Sequence, residues 1–163
     1  MPENTLPVTM VQATDPDAGT TLVYSITGGP DRTAFAIDPA TGALSFLSPP
    51  NYDAPGDANG NNVYSVTVRA SDGALFDEQA INVTVTNVNE SPPVITSGGG
   101  GDAAAISVSS GTKPVMKVTA IDPDANTVLV YSISGGADAA KFTINSSTGQ
   151  LNFVNAPNVL LPT

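Results

Sequence analysis

The chain repeats itself. Ala13-Thr14-Asp15-Pro16-Asp17 returns as Ala120-Ile121-Asp122-Pro123-Asp124, an offset of 107 residues that holds without a gap from Pro2/Ser109 to Asp53/Leu160. Of these 52 pairs 26 are identical, among them Leu22-Val23-Tyr24-Ser25-Ile26 against Leu129-Val130-Tyr131-Ser132-Ile133. A duplication this regular restricts the fold to an array of like modules. With 163 residues in all, there is room for one or two domains of about 100 residues.

Apolar residues come in short runs of strand length, bounded by Gly, Pro, Asn and Asp, and no stretch sustains a helical period. The pattern predicts strands near residues 8–13, 22–27, 35–37, 44–46, 63–70 and 79–86. The second copy predicts four more, near 115–120, 129–134, 142–144 and 151–153. In the long strands Tyr64, Val66, Val68 and Ala70 share one face while Ser65, Thr67 and Arg69 share the other; Ile81, Val83 and Val85 alternate in the same way. One buried and one wet face per strand implies an all-β antiparallel sandwich of the immunoglobulin-like kind, repeated in tandem. Phe35, Phe46, Phe142 and Phe153 recur at the 107-residue offset in strand positions, which reads as core. Asn87-Val88-Asn89-Glu90-Ser91-Pro92-Pro93 lies between the copies, stiffened by its two prolines. The domains are therefore expected at 1–91 and 92–163.

Composition removes most chemistry. Fifteen acids against five bases give a net charge of −10, which repels nucleic acid and anionic membrane surfaces and favours cations. There is no Cys, His or Trp. Thiol chemistry, the usual zinc ligands and histidine acid–base catalysis are thereby excluded, while the oxygen ligands that suit calcium remain. Asp31 and Asp138 recur between the copies, but no second acid stands at the spacing of a glycosidase pair, so no enzyme is expected. Asn82-Val83-Thr84 matches a glycosylation sequon, with its Asn in mid-strand. Neither a signal peptide nor a membrane span is legible.

Four elements together carry a resemblance. Pro2-Glu3-Asn4, the Asp-Pro-Asp triplets at 15–17 and 122–124, Ala70-Ser71-Asp72, and Asn87 to Ser91 followed by two prolines stand in the order and spacing of cadherin repeats. The chain resembles these repeats in their bacterial cadherin-like form, over nearly its whole length. The resemblance implies calcium at the junction between successive repeats. Its ligands here would be the carboxylates of Glu3, Asp53, Glu90, Asp122 and Asp124, the Asn89 side chain, and the backbone carbonyls of Val88 and Ser91. Asn51 stands where the family usually has Asp, supplying an oxygen but no charge. Asn87, Glu90 and Ser91 likewise replace the linker's leading Asp, central Asp and final Asn. Asp15, Asp17 and Asp72 would form the other half-site, facing a preceding repeat, and are expected to be solvated or weakly loaded. The resemblance further implies an extracellular or cell-surface setting, a membrane-associated parent protein and an adhesive or spacer role. A carbohydrate-binding module attached to a polysaccharide-active protein is the alternative, and the missing Trp weakens it because indole stacks well on sugar faces.

Elementary electrostatics supports a cation independently. Glu3, Asp53, Glu90, Asp122 and Asp124 at one junction would repel one another by about 3 kcal/mol per pair at ~5 Å and an effective dielectric near 20. A divalent ion makes such clustering reasonable.

The two copies are not equivalent. The first begins at Pro2, whereas the second has an additional leader, about 92–108, that reads as a first strand. The second has no counterpart of the strands at 63–70 and 79–86, which carry six inward apolar residues. That shortfall is worth about 9–18 kcal/mol of burial, comparable with the whole stability of a domain. The second half is therefore expected to need a partner. Both copies could compete for the one strand pair; loop closure favours the first, and a strand-swapped homo-oligomer is the competitor.

Overall fold

A computed structural model of the chain describes residues 1–17 and 19–158. Leu160, which closes the repeat opposite Asp53, lies outside the described residues. The chain divides into two compact units, Met1–Val88 and Asn89–Thr163.

The first unit is a sandwich of two three-stranded antiparallel sheets. Strands β1 (Pro7–Met10), β3 (Phe35–Ile37) and β4 (Ala43–Phe46) form one sheet in the order β1-β4-β3. Strands β2 (Val23–Gly28), β5 (Val63–Ser71) and β6 (Phe76–Thr84) form the other, in the order β2-β5-β6. The period-2 alternation of β5 decides the packing. Tyr64, Val66 and Val68 are buried while their neighbours are only half-buried, so one face meets the opposite sheet. Tyr64 stands edge-on to Phe46 and Phe35 at 5.0 and 6.3 Å, and the two phenylalanines stack at 4.5 Å across β3 and β4. Val11, Tyr24, Leu44, Val83 and Val85 complete the core. Beside this sandwich Pro2 bridges Thr86 in parallel, which ties the first residues of the unit to its last.

The turn between β3 and β4 is built twice from the same chemistry. Asp38 Oδ1 accepts the N–H groups of Ala40 and Thr41, and in the second unit Asn145 Oδ1 accepts those of Ser147 and Thr148. Gly42 and Gly149 follow with φ of 73° and 72°. A Cβ at either would collide with the carbonyl oxygen of Val11 or Val118. Glycine is needed there for the close approach as well as for the left-handed backbone.

The second unit repeats half of this architecture. Strands β8 (Pro114–Lys117), β10 (Phe142–Ile144) and β11 (Gln150–Phe153) form a sheet in the order β10-β11-β8, the counterpart of β3-β4-β1. Two elements differ from expectation. The run 115–120 is split at Val118, so that β8 joins β11 while β9 (Ala120–Ile121) pairs with the short β7 (Val94–Ile95) from the leader. Residues 129–134 form no strand. Their copy, which shares Leu-Val-Tyr-Ser-Ile with them, does form one, β2, because β5 is there to receive it: Val23 lies opposite Ser71, Tyr24 opposite Ala70 and Ile26 opposite Val68. The same five residues therefore have two outcomes, decided by the presence of a ladder partner. The cores differ accordingly. Phe35, Leu44 and Phe46 are 2–5% exposed, whereas Phe142, Leu151 and Phe153 are only half-buried.

Candidate metal centre

In the first unit the central group is Glu3. It is 1% exposed. Its Oε2 accepts the Tyr52 N–H at 2.6 Å and its Oε1 accepts the Val88 N–H at 2.8 Å, while its own N–H donates to the Thr86 carbonyl at 3.0 Å. One side chain thus holds three remote stretches together. A carboxylate has about four lone-pair positions, so both oxygens keep the capacity to bind a cation. Asp53 is half-buried and directly follows Tyr52, whose N–H Glu3 holds, two residues after Asn51. Asn51 Oδ1 accepts the N–H groups of Asp53 and Ala54 at 2.8 and 3.0 Å. That oxygen shapes the turn that presents Asp53, a role the sequence reading did not assign to it. Val88 is exposed at the end of the unit, and its N–H is the group that Glu3 holds.

In the second unit the Asp-Pro-Asp triplet is folded back on the linker. Asp122 Oδ1 accepts the Asp124 N–H at 2.9 Å. Asp124 Oδ2 accepts the N–H groups of Glu90 and Ser91 at 2.9 and 2.8 Å. Asp124 is 3% exposed. The other two oxygens, Asp122 Oδ2 and Asp124 Oδ1, are buried and have no hydrogen-bond partner among the described residues. An ionised carboxylate oxygen left so is costly, since a buried unsatisfied group loses about 1–3 kcal/mol and a charged one more. Two such oxygens on neighbouring carboxylates, both hard donors, fit a divalent cation such as calcium, which takes six to eight oxygen ligands. Asn89 and Glu90 are exposed beside them in the linker.

The first copy of the triplet has the same internal bond, from the Asp17 N–H to Asp15 Oδ1 at 2.8 Å. Its surroundings differ: Asp17 is exposed and Asp15 half-buried. Asp72 is half-buried too, and its Oδ1 accepts the N–H groups of Ala74 and Leu75, closing the β5–β6 hairpin. Those two bonds hold its carboxyl below the ordinary value of 3.8 against a smaller opposing effect of burial.

Two further buried acids were not singled out by sequence as structural. Asp31 receives N–H groups from Ala58 and Ser65, one on each oxygen. Asp57 receives those of Asn61 and Asn62. Burial pushes Asp57 up, but these hydrogen bonds outweigh it and hold the carboxyl below 3.8. Both acids fasten the loop that leads into β5. The run Asp57-Ala58-Asn59-Gly60-Asn61-Asn62 was the available signal, being made almost wholly of residues that cap turns. Asp138, the copy of Asp31, instead forms an exposed ion pair with Lys141 at 2.8 Å.

A family model described as the cadherin domain matches residues 1–86. The chain belongs to the cadherin family. It is 34% identical over 154 residues to cadherin EGF LAG seven-pass G-type receptor 2 of Mus musculus, covering 90% of this chain and 5% of that protein. It is 34% identical over 163 residues to protocadherin Fat 2 of Mus musculus, covering 93% of this chain and 4% of that protein. The chain thus spans about one twentieth of these cadherin relatives. Among solved structures, human protocadherin-24 EC1-2 matches 99% of this chain and 75% of that one, with a TM-score of 0.70 and 22% identity, which supports the cadherin fold. The relatives named are animal proteins, so they give no support to the specifically bacterial form suggested by the motifs.

Proposed function

We propose that the chain is a calcium-rigidified spacer or adhesion module of a large cell-surface or secreted protein, with calcium binding where the first repeat passes into the second. The observation that carries this reading is the pair of buried oxygens on Asp122 and Asp124 that have no hydrogen-bond partner among the described residues. Glu3 and Asp53 would supply carboxylates from the first repeat, and Asn89 and Glu90 would supply side-chain oxygens from the linker. The Val88 and Ser91 carbonyls complete the proposed set. Calcium would offset the repulsion among the acids and rigidify the junction between the repeats. Asp15, Asp17 and Asp72 would act in the same way toward a repeat ahead of this one, so neighbouring cadherin repeats are the first partners. The reading is non-catalytic. Membership of the cadherin family supports the cell-surface setting, and nothing in the fold or the relatives favours a polysaccharide partner. Small-angle scattering of the full chain tests the rigidification. Adding calcium to metal-free protein is expected to narrow the distribution of interatomic distances; an unchanged distribution at saturating calcium contradicts the proposal.

A further inference from the structure

Asn62 stands in the first repeat where a glycine would serve the fold as well. Its φ is 62°, in the left-handed region that glycine adopts without strain and that Asn tolerates. The residue is 9% exposed, and its Oδ1 is buried with no hydrogen-bond partner among the described residues. A stranded acceptor is a cost that glycine would not carry. Stability alone therefore does not account for an amide at this position.

The other end of the amide has a partner. Asn62 Nδ2 donates to the Tyr52 carbonyl at 3.0 Å. That carbonyl belongs to the peptide unit that leads into Asp53. The N–H of the same unit, that of Asp53, donates to Asn51 Oδ1 at 2.8 Å, and the Tyr52 N–H donates to Glu3 Oε2 at 2.6 Å. Glu3, Asn62 and Asn51 thus hold the three successive backbone groups ahead of the Asp53 Cα. This fixes the point from which the Asp53 side chain projects. A carboxylate oxygen of Asp53 and one of Glu3 lie within 4.8 Å of each other. Two oxygens on one calcium, each at about 2.3–2.6 Å from it, are at most about 5 Å apart. Asn62 is itself anchored: its N–H donates to Asp57 Oδ1 and its carbonyl accepts the Val85 N–H, both at 2.9 Å. Asp31 ties the same loop to β5 by accepting the N–H groups of Ala58 and Ser65. The amide therefore reaches Tyr52 from a base fastened to the core sheet.

We propose that Asn62 is a positioning residue for calcium: through the Tyr52 carbonyl it fixes the backbone that presents Asp53, and so keeps the Asp53 and Glu3 oxygens at a separation one divalent cation can bridge. The proposal rests on calcium binding by these two acids and adds a residue that is not itself a ligand. Groups that orient metal ligands from behind typically change affinity by roughly 10–100-fold when removed. Asn62 acts through the backbone next to Asp53 and not on its carboxylate, which places its effect at the lower end of that range.

The test is Asn62→Gly in the full chain, which removes the amide and keeps the left-handed backbone with the N–H and carbonyl bonds of residue 62. Asn59→Ala is the control, since it removes a different bond of the same loop, from the Asn61 N–H to Asn59 Oδ1. Calcium affinity is read by calorimetry, and amide hydrogen exchange is read in chelator at Tyr52 and Asp53 and across residues 64–68. Asn62→Gly is expected to raise the calcium Kd roughly tenfold. It is also expected to speed exchange at Tyr52 and Asp53 roughly tenfold without calcium, with residues 64–68 unchanged. Asn59→Ala should leave both readings as in the unaltered chain. An unchanged Kd or unchanged exchange at Tyr52 and Asp53 in Asn62→Gly overturns the proposal, and so does equal weakening by Asn59→Ala. Faster exchange at residues 64–68 as well would mark a general loosening of the repeat and overturn it too. If the unaltered chain takes up no calcium, the calcium reading falls and this proposal with it; if the unaltered chain and Asn62→Gly bind equally, this proposal alone falls.

Discussion

Replacing Glu3 by Gln changes one heavy atom and tests how the first repeat is closed. The carboxylate is 1% exposed and accepts one N–H on each oxygen, from Tyr52 at 2.6 Å and Val88 at 2.8 Å. Hydrogen bonds to a charged group contribute about 1.5–3 kcal/mol each, and a buried donor left unsatisfied costs about 1–3 kcal/mol. In Glu3→Gln one oxygen remains an acceptor, and the other becomes an NH2 group facing an N–H. The substitution therefore loses one charged bond, strands one donor and weakens the second bond. Relief from burying a charge offsets part of this. The net expectation is a loss of about 2–5 kcal/mol, a large share of the ~5–15 kcal/mol available to a domain. Urea unfolding of the full chain in chelator, followed by far-ultraviolet circular dichroism and tyrosine fluorescence, measures it. Tyr24, Tyr52 and Tyr64 report the first repeat. A loss below about 0.5 kcal/mol would refute the claim that Glu3 clasps the loop at Tyr52 to the linker at Val88.

The remaining expectations are more local. Asp124→Asn keeps an oxygen for the Glu90 and Ser91 N–H groups, so stability in chelator should change by no more than about 1 kcal/mol. The gain of about 2.7 kcal/mol expected at a hundredfold excess of calcium over Kd should disappear, while Asp17→Asn should retain it; equal gains in both variants by thermal melting would contradict the assignment. Gly42→Ala, with φ at 73° and a carbonyl in the way, should cost about 2–5 kcal/mol, whereas Gly60→Ala, with φ at 70° and open space, should cost about 1–2 kcal/mol. Denaturation midpoints that rank the two glycines in the reverse order would count against the close packing of Gly42 on Val11. Asp38, Asp57 and Asp72 have folded-state pKa values below the ordinary 3.8. Their contribution is therefore full above that value and lost as pH falls through the lowered ones. Stability in metal-free buffer should hold from pH 7 to about 5 and decline below about 4, less steeply in Asp57→Asn.

Much of this arrangement is legible in the sequence, and the parts that are not share a cause. Alternation in β5 and β6 announces its buried face because each long strand has a partner on at least one side. The copied stretch at 129–134 carries the same alternation and still forms no strand, since a strand is a property of a pair and not of a segment. The triplet Asp122-Pro123-Asp124 could be singled out from spacing, but its burial could not; that depends on the linker N–H groups of Glu90 and Ser91 folding onto Asp124. Asn51 shows the converse. Its place in the motif suggested a ligand, whereas its oxygen accepts two backbone N–H groups in the turn before Asp53. Asp31 and Asp57 were hidden for the same reason: a buried carboxylate satisfied entirely by remote backbone donors leaves no local mark beyond a turn-rich loop.

The central claim is that the acids around the linker are held for a divalent cation. Isothermal calorimetry of calcium into the metal-free full chain tests it most directly. The account predicts saturable binding with Kd on the order of 10⁻⁴–10⁻³ M, the range of extracellular modules, and its loss in Asp124→Asn. No saturable heat up to about 10 mM calcium, or binding that Asp124→Asn leaves intact, would contradict it.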